Sequence, residues 1–261
     1  MGGFFFSKIK ASFTHFFISV LIFSGLITTI LFYWYPEPYF TASGGWQGLK
    51  IVAFVDLILG PLLTLIVFNN SKPYRELRND ISIIVLLQVS ALVWGIYTVY
   101  QQRPIAVTFW ESRFYTVSYK EVADEFNDSI QLKKLLSQSL DFFYVPKPKS
   151  VEKIELLVKE TEAKDLAPFE LIDRYQSAKD HMHSITKHSV DIDEIINTNS
   201  EMKQQLLNLL NPLGANVHDF YYIPLISRYQ NIIFVFSKVN FDLQGYLKAP
   251  HKKKDTGSIN N

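Results

Sequence analysis

Three long apolar runs within the first hundred residues constrain this chain more than any other feature. Phe13–Tyr35 holds 23 residues with no charged side chain apart from His15, should it protonate. At ~1.5 Å rise per residue, that run exceeds the ~30 Å hydrocarbon thickness of a bilayer. Ile51–Phe68 follows, interrupted by Asp56, and then Ile81–Tyr100, whose clearly polar members are Gln88 and Ser90. Hydrocarbon offers the backbone no hydrogen-bond partners, so each run is expected to be a transmembrane helix. Tyr33, Trp34 and Tyr35 close the first run, and Trp94, Tyr97 and Tyr100 line the outer part of the third. Amphipathic aromatics favour that interfacial depth. The first run is too long for a cleaved signal sequence, whose apolar region is ~7–15 residues. The best small-residue cleavage site, around Ala42-Ser43-Gly44, lies well past it.

The remaining sequence is mixed and soluble in character. The 261 residues suit about two units of ~100–200 residues. The expected division is a three-helix membrane region over 1–103, an α+β domain over 104–250, and a disordered tail over 251–261 that carries Lys252-Lys253-Lys254. Residues 1–103 hold seven Lys/Arg and four Asp/Glu, and residues 104–261 hold nineteen and twenty-one, giving +3 and −2. Neither half has the clustered positive charge that nucleic-acid binding requires. The chain has no cysteine, which excludes disulfides, thiolate metal sites and a cysteine nucleophile.

Cation placement sets the expected orientation. Lys8 and Lys10 flank the first run, and Lys72, Arg75 and Arg78 lie between the second and third. The stretch Pro36–Lys50 has only Lys50, and beyond the third run the nearest cations are Arg103 and Arg113. The expectation is an N-terminus and second loop inside, with the C-terminal domain outside. In a Gram-negative cell that domain would be periplasmic and the spans would lie in the inner membrane.

Within the spans, Asp56 is the costly residue, because a carboxylate in hydrocarbon is unfavourable and marks function by default. Asp56, Gly60 and Thr64 fall at i, i+4 and i+8 and should share one face. Gly60 allows a neighbouring backbone close, as small residues do in membranes. Pro61 lacks an N–H and is expected to free the Leu57 carbonyl and kink the helix. With the second helix starting near Ile51, Asp56 would lie ~8–9 Å from its outer end, about 10 Å out of register with Gln88. Trp94 and Thr28 or Thr29 fall at similar depth and are the expected hydrogen-bond donors to Asp56. Three helices with one acidic residue and no inverted repeat offer little transporter machinery.

In the C-terminal half, Ile105–Trp110 and Arg113–Ser118 read as a hairpin around Glu111-Ser112, followed by a short helical pattern over Tyr119–Asp124. Val145-Pro146-Lys147-Pro148-Lys149 reads as an extended connection. Val151–Lys159 and Ile195–Leu210 read as helices, and Ala167-Pro168-Phe169 as the opening of another. Phe220–Pro224, Asn231–Ser237 and Phe241–Leu247 read as a closing meander. Gln230–Phe236 is the most strand-like run; it could be an edge open to strand addition, although its continuous apolarity favours a core strand. His181, His183 and His188 invite a metal reading, but no HExxH-type motif accompanies them, and a polar loop or helix is the expectation. No P-loop, GxGxxG, GxSxG or zincin motif appears. The expectation is therefore a non-enzyme with no cofactor and no metal.

The succession Asp56-Leu57-Ile58-Leu59-Gly60-Pro61-Leu62-Leu63-Thr64-Leu65, Leu77-Arg78-Asn79-Asp80, Leu86-Leu87-Gln88, Gly95-Ile96-Tyr97-Thr98-Val99-Tyr100 and Arg103-Pro104 resembles the type IV pilin accessory protein family (TfpX/TfpZ-like proteins). Tyr222-Ile223-Pro224-Leu225-Ile226-Ser227-Arg228 is similar to that family's segment ahead of its final strands, with Pro224 and Arg228 as the matching residues. One departure stands near the end. Where the resemblance leads one to expect a turn with Gly, the chain has Val239-Asn240-Phe241-Asp242. The resemblance implies an inner-membrane protein of type IV pilus biogenesis that assists a pilin, with the pilus assembly machinery as a further partner. On that reading Asp56 is either a neutral structural residue or the group that meets the pilin's hydrophobic helix. The alternative is a pilin-modifying enzyme or its subunit, for example in glycosylation. A sensor is disfavoured, because the short N-terminus and second loop leave no room for an output domain.

Overall fold

The structure, a computed structural model, describes residues 2–69, 72–227 and 229–249, and side chains from residue 6 onward. Arg228 and the 251–261 tail lie outside the described residues. The chain forms two compact units: 2–40 with 44–103, and 41–43 with 104–249.

Among the described residues of the first unit, three helices are long and apolar enough to cross a membrane: Phe6–Trp34, Gly45–Val67 and Tyr74–Gln101. The second helix starts six residues earlier than the apolar run implies. Gly44 takes a left-handed conformation (φ 82°) that a side chain would resist, which turns the chain sharply into Gly45. The second span is the hub. Spans one and three both pack along it, far more than on each other. Spans one and three meet at the end where Trp34 lies edge-on to Tyr100 (centroids 5.1 Å apart). There the Tyr35 hydroxyl donates to the Val99 carbonyl at 2.9 Å. Phe40 plugs the same end between Tyr35 and Trp46.

Pro61 produces a wider winding rather than a simple kink. Residues Phe54–Leu59 form a π-helical stretch, and the Gly60 N–H reaches back five residues to the Val55 carbonyl. Inserting a π-turn lets the ladder step past a residue with no donor. A second such stretch, Ile30–Trp34, ends the first span.

The second unit is an α+β domain built on one mixed seven-stranded sheet: β1 (Pro104–Trp110), β2 (Arg113–Ser118), β3 (Phe142–Tyr144), β4 (Gln176–Ser177), β5 (Phe220–Ile226), β6 (Ile232–Ser237) and β7 (Leu243–Lys248). The spatial order is β4-β3-β1-β2-β5-β6-β7. The β1–β2 hairpin forms as expected, and β5, β6 and β7 form the closing antiparallel meander. β1 is parallel to β3, and β2 is parallel to β5. β6 is paired on both sides, which places it in the core and not at an edge. Period-2 alternation sends Phe234 and Phe236 to an aromatic face with Phe109, Phe114 and Phe142. Ile233 and Val235 point to the opposite face, against Met202, Leu206 and Leu210. Burial on both faces accounts for the unbroken apolar run.

Local chemistry explains most boundaries. Ser118 and Glu121 form a reciprocal capping box that starts the helix Tyr119–Phe126. The Ser150 hydroxyl accepts from the Lys153 N–H and opens Val151–Lys164. The helix expected over Ile195–Leu210 is two helices, Ile192–Thr198 and Ser200–Leu210. Asn199 splits them, because its side chain accepts from the Met202 N–H as an N-cap. At the β7 edge, Gln205 bonds both the N–H and the carbonyl of Lys248, occupying groups that could otherwise recruit another strand.

The turn between β6 and β7 resolves the departure at Val239–Asp242. Phe241 adopts a left-handed backbone (φ 59°), the conformation glycine normally supplies. Its ring is buried and stacks on Phe236 with centroids 4.6 Å apart and planes at 13°.

Candidate functional site

The first unit contains a cleft of about 670 Å³ between spans one and three, floored by span two. Its walls are apolar: Ile18 and Ile22 on one side, Val85, Val89 and Leu92 on the other. Its polar members are concentrated along one strip. Asp56 and Thr64 come from span two, His15 and Ser19 from span one, and Gln88 from span three. Lys10 stands towards one end.

Asp56 is buried, with 7% of its surface exposed. Because the second helix runs Gly45–Val67, Asp56 is its middle residue, about 16 Å from either end. Asp56, Gly60 and Thr64 do share one buried face. The expected donors do not reach it. Trp94 points outward with 72% of its surface exposed. The Thr28 and Thr29 hydroxyls donate to the Ser24 and Gly25 carbonyls of their own helix. The physical reason is depth: moving the start of span two back by six residues shifts every partner assignment along the neighbouring helices.

Gln88, set aside as out of register, is brought into the site. Its amide packs over Gly60, where an added Cβ would overlap the amide nitrogen. Gly60 is one turn from Asp56. The Gln88 Oε1 is buried and has no hydrogen-bond partner, and among the described residues no donor bonds the Asp56 carboxylate.

Span one supplies the contacts that the sequence reading missed. Ser12 Oγ donates to the Pro61 carbonyl at 2.8 Å. His15 Nδ1 lies 2.6 Å from Thr64 Oγ1. Thr64 Oγ1 in turn donates to the Gly60 carbonyl at 3.0 Å. A hydroxyl has one proton to give, so Thr64 accepts from the His15 Nδ1–H. His15 is close enough to act electrostatically on Asp56. The signal was present in sequence: Ser12, His15 and Ser19 fall at i, i+3 and i+7, one face of a helix.

In the second unit, Pro224 lies in β5 opposite Ile233. It has no N–H for the other neighbour, and pairing with β2 covers only Leu225 and Ile226, immediately after it. The Ser227 hydroxyl then donates to the Ala42 carbonyl at 2.7 Å. His181 stacks on Tyr144 at 4.3 Å, and His188 packs near Phe109. Among the described residues no group of three His, Asp or Glu could hold a metal ion.

Three candidate membrane spans enclosing a polar-floored cleft, followed by an α+β domain, define the class: a membrane-anchored protein with a folded C-terminal unit. The chain belongs to the family of the fimbrial assembly proteins of Dichelobacter nodosus. The protein of serogroups C1 and C2 is 38% identical over 100 residues, 38% of this chain and 76% of the relative. That of serogroup E1 is 38% identical over 100 residues, 38% of this chain and 39% of the relative. That of serogroup I is 35% identical over 113 residues, 43% of this chain and 44% of the relative. The matched part thus spans well under half of two of these relatives. No family model and no solved structure matches the chain.

Proposed function

We propose that this chain is a non-catalytic accessory protein of type IV pilus biogenesis, akin to the TfpX/TfpZ-like pilin accessory proteins, that assists a cognate pilin in stability, assembly or pilus dynamics. The N-terminus lies in the cytoplasm, the three spans in the bacterial inner membrane and the α+β domain in the periplasm. The observation that carries the reading is the kinship with proteins named for fimbrial assembly. The buried carboxylate at mid-span supports it, since so costly a residue is kept where it has a task in the membrane. Pilin and the assembly machinery are the partners this reading supplies.

The test is a clean deletion and its complemented strain, with surface pilin, total pilin and intact pilin mass measured side by side. The expected result is less surface pilin with an unchanged subunit mass. Unchanged surface pilin refutes the proposal, and a changed subunit mass replaces it with a pilin-modifying activity.

A further inference from the structure

We infer that the cleft between spans one and three receives one transmembrane helix of a second polypeptide, which presents a side-chain N–H or O–H donor to Asp56. This rests on the accessory-protein reading, which supplies a membrane partner, and deepens it by naming where and how that partner is held.

Three observations carry it. Apart from Phe68, the residues lining the cleft lie within the helical spans, where irregular chain would leave backbone groups unbonded in hydrocarbon, so its polypeptide occupant is a helix. Its walls, Ile18, Val85 and Leu92 among them, are apolar and suit such a surface. Its floor has an unused hydrogen-bond acceptor, the Asp56 carboxylate, on a side chain more than nine-tenths buried. An acyl chain would fill the same volume and leave the carboxylate unsatisfied, which costs several kcal/mol in hydrocarbon. A helix carrying a donor at mid-depth satisfies it, and charge complementarity selects that helix over lipid.

The spans of the chain itself are already committed to the walls and floor. Among the described residues no fourth helix is long and apolar enough to enter. The small residues on span one's side of the cleft, Ala11 and Ser19, leave room for close approach.

The test is photo-crosslinking in intact membranes of cells making the full chain. p-Benzoylphenylalanine is placed at Ile18 or Val85, which line the cleft, and at Leu86, which faces outward. Expected is an adduct from Ile18 and Val85, absent from Leu86, whose partner peptide is an apolar segment of another polypeptide containing a donor side chain. Asp56→Leu lowers its yield about three- to twentyfold, the span of measured intramembrane hydrogen-bond energies. Should that variant fail to accumulate, Val85→Trp fills the cleft from the wall and abolishes the Ile18 adduct with Asp56 in place. Phospholipid adducts alone, adducts with a second copy of this chain, or equal yield at Leu86 overturn the inference. A helix adduct beside unchanged surface pilin in the deletion strain would sink the pilus reading and leave the cleft standing. Lost surface pilin without a helix adduct does the reverse.

Discussion

Replacing Phe241 separates a backbone cost from a side-chain gain in one residue. At φ 59° its backbone is in the left-handed region, which costs an L-residue about 1–2 kcal/mol. The turn is otherwise well bonded. The Phe241 N–H donates to the Ser237 carbonyl at 3.0 Å, and the Ser237 N–H to the Asp242 carbonyl at 3.0 Å. Lys179 pairs with Asp242 at 3.0 Å. The buried ring stacked on Phe236 is what offsets the strain. Truncating a buried Phe to Ala costs about 3–5 kcal/mol, and Phe241→Ala keeps the left-handed strain. Phe241→Gly loses the same ring but recovers about 1–2 kcal/mol of strain, less about 0.4–1 kcal/mol for the freer unfolded chain. At mid-range values glycine should therefore be less damaging than alanine by roughly 0.8 kcal/mol, the reverse of the usual order inside regular elements. The assay is thermal unfolding of the full chain in detergent, followed through the sheet signal in far-ultraviolet circular dichroism. At ~2–4 °C per kcal/mol for a unit of this size, Phe241→Ala lowers Tm by about 6–20 °C, and Phe241→Gly recovers about 1–4 °C of that. Glycine equal to alanine, or worse, would refute the account of a strained turn held by a buried ring.

Two further predictions concern packing and charge. Gly60→Ala pushes the Gln88 amide off its seat and should cost about 1 kcal/mol. In a Gln88→Ala background the same change should be nearly neutral, and a double-mutant cycle on detergent-phase thermal stability measures the coupling. In the C-terminal unit, two glutamates act in opposite senses with pH. Burial pushes the Glu160 carboxyl up, but hydrogen bonds and charge from Arg174 and Lys164 outweigh it and hold the group below its ordinary value. Its contribution is present above the unfolded value of about 4.3 and is lost as pH falls through the lowered folded value. Glu170 is raised by burial and by the charges of Glu121 and Asp165, against the hydrogen bond from the Ala167 N–H. Its contribution is present below the unfolded value and is lost as pH rises through the raised folded value. Glu160→Gln should flatten the acid limb of a stability–pH profile. Glu170→Gln should stabilise above the raised value and have little effect at pH 4; the opposite pattern would show that burial is not what perturbs it.

Much of the fold was legible because local signals agreed with tertiary placement. Alternation in Ile105–Trp110 and Arg113–Ser118 gave the hairpin, and the apolar run Ile232–Phe236 gave a strand buried on both faces. What stayed hidden depends on distant parts of the chain. β3 is three residues long and β4 two, and each is a strand only because a neighbour supplies its hydrogen bonds. The break at Asn199 was readable in principle, since Asn is a strong N-cap, but the helical spacing of Ile195, Met202, Leu206 and Leu209 runs straight across it.

The candidate site divides along the same line. The face of span two was legible: Asp56, Gly60 and Thr64 obey helical spacing, and the π-stretch leaves them on one buried side. Their partners were not, because partner assignment between helices needs depth, and depth depends on where each helix starts. The apolar run begins at Ile51, whereas Gly44 sets the helix start at Gly45. Hydropathy cannot register that difference, since Trp46, Gln47 and Lys50 continue a helix without continuing an apolar run. Rotation is a second unknown for a helix that is apolar all round, because lipid and protein faces look alike. Only polar spacing breaks the symmetry. Ser12, His15 and Ser19 mark the inward face of span one as Asp56, Gly60 and Thr64 mark that of span two, and the two stripes meet at the Ser12–Pro61 and His15–Thr64 contacts. On span three Gln88 alone faces that strip, and its buried Oε1 is left unbonded. Two polar stripes joined to each other, with the Asp56 carboxylate unbonded on the cleft side, describe a bundle with room for one more helix.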